Sequence, residues 1–186
     1  MRKVIAAINM SLDGFCDHNS VVADDEIHSH YTNLLFGADT ILYGRITYQL
    51  MEYWRPFLTK SSGNRSMDEF AHAMDRISKI VFSRTLNNLD WSSARLAHRN
   101  ILDEVIALKQ QSGKDILVGS PSLIVALTNC DLIDEYQICI HPVIVGGGLP
   151  LFMNLNRQIV LKHLKTKTFN GGALLIYYKP ENREQN

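Results

Sequence analysis

Short apolar runs alternate with helix-period segments along almost the whole chain, and few folds satisfy that alternation. Val4 to Asn9, Thr40 to Tyr43, Ile80 to Phe82, Ile116 to Val118 and Tyr136 to Val145 read as strands. Asp24 can cap a helix through Phe36, with Ile27, Tyr31, Leu34 and Leu35 at helical spacing and Gly37 as its stop. Ser66 and Glu69 fit a capping box ahead of the stripe Phe70, Ala73, Met74 and Ile77. Ile101 to Gln111 forms a further helix ended by Gly113. Ser120 then stands where an N-cap belongs, Pro121 at the first helical position, and Leu123, Ile124 and Leu127 on the apolar face. Leu161 to Thr168 and Ala173 to Tyr178 read as a hairpin around Asn170, Gly171 and Gly172. The expected architecture is α/β: a mostly parallel central sheet flanked by helices, with a C-terminal antiparallel hairpin. At 186 residues the expectation is a single domain over 1–180 and a polar tail over 181–186.

Composition narrows the partners. Nineteen Lys and Arg balance nineteen Asp and Glu, so the chain has no global field for a phosphate backbone or an anionic membrane. Neither nucleic acid nor membrane is an expected partner; a small-molecule substrate is. Cys16, Cys130 and Cys139 are far apart and form no metal-ligand pattern, which points to a reducing compartment. The apolar run after Met1, Arg2 and Lys3 stops at Asn9, too short for the h-region of a signal peptide, so the expected location is cytoplasmic. His28 and His30 are two apart on a helix and point to different faces, so no metal site is expected.

In open parallel sheets ligands bind where strands hand over to helices, and three such junctions carry suitable chemistry. The first is Leu42 through Thr47. Gly44 lets a ligand approach the backbone, Arg45 offers a planar fork suited to phosphate, and Thr47 adds a hydroxyl. The second places Ser83 and Arg84 just past a strand. The third, Gly119, Ser120, Pro121, Ser122 and Leu123, is a glycine-led helix start able to hold a pyrophosphate. Singly, each is also what a turn or a cap requires. Together, two arginines and two amide-rich turns suit a dinucleotide with an extra phosphate, NADP rather than NAD. The GxGxxG fingerprint is absent from all three, and the run Gly146, Gly147, Gly148 does not supply it. Asp13 before Gly14 fits either a plain turn or a group that orients substrate, and Trp54 with Phe57 either a heterocycle pocket or core. The segment from Thr59 to Arg65 is the most loop-like and the candidate for a mobile insertion.

Residues 4–14, Gly44 to Tyr48 with Trp54, Lys79 to Leu86, Gly119 to Leu123, and Leu132 to Glu135 leading to His141 to Phe152 resemble the dihydrofolate reductase-like superfamily. Within it the chain is most similar to the riboflavin-biosynthesis reductase domain, the C-terminal half of bifunctional deaminase/reductases, in stand-alone form. That resemblance implies NADPH as cofactor. Gly44, Arg45 and Thr47 would meet phosphates, Ser83 and Arg84 the adenosine 2′-phosphate, Gly119 to Leu123 the pyrophosphate, and the backbone of Ala7 the nicotinamide carboxamide. It implies hydride transfer to a pyrimidine ribosylamine-like or pterin-like substrate, with Asp13, His28 and Trp54 as candidate substrate contacts. A proton would come from bound water or from a residue such as Asp13 or His28. His28 stands where folate reductases carry a carboxylate, and Ala7 where riboflavin-pathway reductases carry a lysine. A folate reductase and a non-catalytic NADP-binding module are the alternatives, and a homodimer is the expected assembly.

Overall fold

The computed structural model describes residues 1–16 and 23–181. The chain runs β1 (Val4–Ser11), α1 (Asp25–Gly37), β2 (Ala38–Gly44), α2 (Arg45–Met51), a 3-10 helix (Glu52–Leu58), α3 (Arg65–Arg76), β3 (Ser78–Phe82) and β4 (Ala94–Leu96). It continues with α4 (Ile101–Gln110), β5 (Asp115–Val118), α5 (Pro121–Asn129), β6 (Glu135–His141), β7 (Leu161–Thr168) and β8 (Leu174–Pro180). The eight strands form one sheet in the order β4-β3-β2-β5-β1-β6-β8-β7. β1 to β6 are mutually parallel, and β8 and β7 close one edge antiparallel. Of the polar tail expected over 181–186, all but Glu181 lies outside the described residues.

Period-two alternation along the strands builds two cores. Val4, Ala6 and Ile8 of β1 pack with Leu42, Ile80, Ile116 and Val118 against Val105 and Leu108 of α4 and Leu123, Ile124 and Leu127 of α5. Ile5 faces the other way, joining Ile41, Tyr43, Val81 and Leu117 under Leu35 of α1 and Phe70, Ala73 and Met74 of α3. The connections through α1 and α3 step outward from β1 to β2 and β3, whereas those through α4 and α5 return to β5 and pass to β6. Right-handed crossovers running in opposite directions put the two helix pairs on opposite faces.

Four details depart from the sequence expectations. β6 ends at His141 rather than Val145, because Pro142 follows and has no amide to continue the ladder. The N-cap of α3 is Asn64, not Ser66. Its Oδ1 accepts from the amides of Ser66 (2.8 Å) and Met67 (3.2 Å), while the Ser66 hydroxyl donates to Asp25 Oδ1 at 2.8 Å. Glu69 pairs with Arg65 instead of closing a capping box. β4, three half-buried residues beside β3, has no period to announce it.

Two buried cations fasten the sheet. Arg2 donates to the Asp39 carboxylate, to Thr40 Oγ1 (2.9 Å) and to the Lys114 carbonyl (2.6 Å), tying the amino ends of β1, β2 and β5. Lys79 has no exposed surface. Its ammonium donates to the carbonyls of Asp75 (3.3 Å) and Ile77 (3.0 Å) and to Ser93 Oγ (2.7 Å), and lies 4.2 Å from the Trp91 ring centroid. Burial pushes this amine down to about 8, against the opposing pull of Asp75. Among the described residues no helix is long and apolar enough to cross a membrane.

Candidate active site

β5 sends its helix to one face of the sheet while its neighbours β2 and β1 send theirs to the other, which opens crevices at their carboxyl ends. The residues expected there are level with one another. Ala6 pairs with Val118, and Leu42 with Val118, so Ala7, Tyr43 and Gly119 form the next row. On the α1 face the row beneath them, Ile5, Ile41 and Leu117, is buried, whereas Ala7, Asn9 and Gly119 are half open and line the crevice expected at this switch point; Gly44 is half open on the opposite face, beside Ser120 and Ser122.

Ser120 precedes α5 with extended dihedrals, yet its hydroxyl does not cap that helix. It accepts instead from the Gly44 amide at 2.9 Å, joining the ends of β2 and β5. No side chain caps α5, so its first amides remain available with the positive end of the helix behind them. A Cβ on Gly44 would lie 3.7 Å from Ser122 Oγ and 3.8 Å from Ser120 Oγ. One on Gly119 would come within 3.2 Å of the Tyr43 ring and 3.9 Å of the Ala7 carbonyl. Gly119 is therefore required by close approach, and Gly44 leaves a small open cradle beside two hydroxyls. Leu123 contributes its side chain to the core and Pro121 has no amide, so within this turn Ser122 and the Leu123 amide are the groups that can meet a ligand.

Gly44 pairs with Phe82 across β2 and β3, so Arg45 and the Ser83–Arg84 turn start from adjacent strand ends. Both arginines are exposed. Arg45 Nη1 donates to Gln49 Oε1 one turn along α2 at 3.0 Å, an exposed contact that is easily exchanged. The Ser83 hydroxyl accepts from the amides of Thr85 (3.1 Å) and Leu86 (2.9 Å), which fixes the turn and leaves its proton free to donate. Thr47 is not brought together with Arg45: two positions along a helix lie about 200° apart around its axis.

Asp13 does belong to a turn, and to more than a turn. Its carboxylate accepts from Ser11 Oγ at 2.6 Å and from the amides of Gly146 (2.7 Å) and Val145 (3.2 Å), clamping the late glycine loop onto the end of β1. The Ser11 hydroxyl, followed by these amides, holds the carboxyl below its usual range against a smaller cost of desolvation. A depressed carboxylate stabilises at all pH above its ordinary value and loses that contribution as pH falls through the lower folded one. We expect Asp13→Ala to speed amide exchange of Val145 and Gly146 several-fold at neutral pH. In the parent the same loosening should occur only below the ordinary carboxylate range.

His28 and Trp54 meet edge to face at 5.6 Å, with Phe70 4.7 Å from Trp54 and Phe57 6.0 Å from it. This aromatic group seals the junction of α1, the 3-10 helix and α3. Burial lowers the His28 pKa, while Asp25 and Asp24 pull it back up. The loop 59–65 is tied down rather than free. Asp68 accepts from the Ser62 amide (2.8 Å) and from Ser61 Oγ, and Asn64 Nδ2 donates to Asp25 Oδ1 at 2.7 Å. No group of His, Cys, Asp and Glu among the described residues could hold a metal ion.

One cluster escapes a reading of the sequence. Tyr31 Oη donates to Asn9 Oδ1 at 3.1 Å, and His141 Nε2 lies 3.0 Å from the same oxygen. Desolvation around its hydroxyl raises the pKa of the partly buried Tyr31 well above the ordinary value, and burial lowers that of His141. The one signal in the sequence is Asn9 itself, a polar residue ending an apolar strand run.

This geometry has relatives. The uncharacterized protein YyaP of Bacillus subtilis (strain 168) is 38% identical over 181 residues, covering 95% of this chain and 94% of YyaP. The crystal structure of a putative riboflavin biosynthesis protein from Shewanella sp. PV-4 superposes with a TM-score of 0.73 at 18% identity, over 98% of this chain and all of that one. The Thermotoga maritima diaminohydroxyphosphoribosylaminopyrimidine deaminase/5-amino-6-(5-phosphoribosylamino)uracil reductase gives 0.66 at 17% identity, matching 97% of this chain to 57% of its own. The family model of the RibD C-terminal domain matches residues 2–175, and with the mostly parallel sheet, its antiparallel closing strands and the cleft at the strand ends, it places this chain in the RibD C-terminal domain family.

Proposed function

We propose that the chain is an NADPH-dependent reductase that transfers hydride to a small planar nitrogen heterocycle of the pyrimidine ribosylamine or pterin kind. The observation that carries this reading is the junction of β2 and β5, where the Ser120 hydroxyl is committed to Gly44 and the start of α5 is left without a cap. An uncapped helix start beside an open glycine cradle fits a pyrophosphate. Arg45 and Arg84 stand at the neighbouring strand ends, where a 2′-phosphate would need guanidinium partners. Ser83, Gly44, Ser122, the Leu123 amide and the backbone of Ala7 complete the proposed cofactor contacts, with Gly119 and Ser120 shaping the turn, Pro121 starting its helix and Thr47 on another side of α2 from Arg45; Asp13, His28 and Trp54 are the proposed surroundings of the substrate.

NADPH, when bound, supplies the hydride; the chain supplies position and a proton route. Gly119, without a side chain, would leave room for the cofactor beside the Ala7 backbone, and the Tyr43 ring packs against that turn. Asp13, held ionised by Ser11 and the glycine-loop amides, has no proton to give at neutral pH, and burial lowers the His28 pKa as well, which favours bound water as the source. Membership of the RibD C-terminal domain family and the reductase activity named for the Thermotoga relative support a reductase reading.

The test is a thermal-shift titration of NADPH against NADH, followed by NADPH oxidation with a dihydropterin and an aminopyrimidine ribosylamine. A larger stabilisation by NADPH than by NADH is expected, since a ligand specific for the native state raises its apparent stability. Failure of both nucleotides to stabilise the protein overturns the reading. The enzyme is further proposed to work in the cytoplasm as a homodimer. Leu12, Ile144, Leu149, Phe152 and Met153 are exposed on and beside the glycine loop, an apolar surface suited to a second copy. Ile144→Asp with Leu149→Asp should convert the dimer to a monomer in sedimentation without loss of folded signal.

A further inference from the structure

Asn9 stands on the floor of the cleft, on the face of β1 that also carries Ala7, about 6.7 Å further along the strand. Its side chain is oriented from two sides. Oδ1 receives the Tyr31 hydroxyl from α1 at 3.1 Å and faces His141 Nε2 from β6 at 3.0 Å. The amide oxygen points into the protein and accepts from the Tyr31 hydroxyl. His141 then carries its proton on Nε2, and its burial keeps the ring neutral at physiological pH, although Asp24 opposes this. The acceptor capacity of Oδ1 is filled by these two neighbours. Asn9 Nδ2 has no partner among the described residues and is not sealed from solvent, in a side chain that is only half buried.

We infer that Asn9 is the specificity-determining residue of the substrate half of the cleft, presenting its amide N–H groups to a ring carbonyl of a planar heterocycle. The proposal rests on the reductase reading for the identity of the neighbouring cofactor, but the direction of the amide does not. Tyr31 and His141 are positioning residues: they prevent the amide from turning over, and so the site selects acceptors over donors. A flipped amide would require the Tyr31 hydroxyl to turn and accept and His141 to move its proton to Nδ1, and that coupled rearrangement is what opposes the flip.

The test compares two small ligands of one shape, isocytosine and 2,4-diaminopyrimidine, which differ in a carbonyl acceptor against an amino donor. Affinities are measured with NADPH present and again without it. The parent is expected to bind isocytosine at least about tenfold more tightly, the discrimination of one correctly paired polar group. Asn9→Asp keeps both internal acceptor contacts and has no proton to donate, so it should reverse the order. Tyr31→Phe frees one side of the amide and should bring the two affinities within about threefold of each other; it also serves if Asn9→Asp does not fold. An order unchanged by both variants, or a parent that binds neither ligand, overturns the assignment of Asn9. Absence of NADPH binding alongside a reversed order would instead leave Asn9 in place and remove the cofactor reading.

Discussion

Replacing both Arg45 and Arg84 by alanine is expected to weaken NADPH binding about a hundredfold or more while leaving NADH within a few-fold, as two charge-assisted contacts of about 1.5–3 kcal/mol each are lost from one phosphate and solvent screening takes part of that sum. The two side chains rise from adjacent strand ends, fixed by the pairing of Gly44 with Phe82. Arg45 must exchange its Gln49 partner to reach a phosphate, and that contact is exposed, so the exchange costs little. The single variants separate the contributions, with Arg84→Ala the larger if the Ser83 hydroxyl and Arg84 grip the same group. Isothermal titration with both nucleotides is the measurement. Equal losses for NADPH and NADH would mean that neither guanidinium reads the 2′-phosphate.

Lys79→Met is expected to destabilise the fold by up to about 3 kcal/mol, because the Ile77 carbonyl loses its buried donor, an unsatisfied group costing roughly 1–3 kcal/mol, while the Asp75 carbonyl and Ser93 hydroxyl lose a shared partner but keep each other. Some of the loss is recovered, since the methionine side chain removes the cost of burying a charge. In a chain of this length the midpoint should fall by up to roughly 6–12 °C. The pH dependence identifies the cause. The folded amine ionises near 8, below its ordinary value of 10.5, so over this interval the unfolded state holds more protons than the folded one. Stability contributed by this group therefore rises as pH climbs from about 8 to 10.5, and the slope should vanish in Lys79→Met. Urea denaturation across that range, parent against variant, checks both the magnitude and the sign.

The order of strands and helices could be read from the sequence because each apolar run is bounded by a glycine, a cap or a proline. The junctions at Gly44 and Gly119 stood out for the same reason, as glycines placed where strands become helices. What escaped notice depends on partners that sequence spacing does not bring together. Tyr31 is 22 positions from Asn9, and His141 is 132. Ser120 looks like an ordinary cap because its true partner, the Gly44 amide, lies 76 positions away on another strand. Asn64 and Ser66 both qualify as caps for α3, and the competition was decided by Asp25, a residue of another helix, which takes the Ser66 hydroxyl. Asp13 reads as a turn until the glycine loop, its distant partner, folds back onto it.

The placement of β1 between β5 and β6 sets a schedule for biogenesis. Val4 finds its first sheet neighbour only at Ile116, and Ala7 its other at Gln137, so the first strand of this sheet to be synthesised is nearly the last to be sheltered. Pairings this remote fold slowly and leave sticky intermediates in the meantime. Until its partners emerge, the strand that carries Ala7 and Asn9 keeps its apolar faces open, and the cleft takes shape in the closing stage of folding.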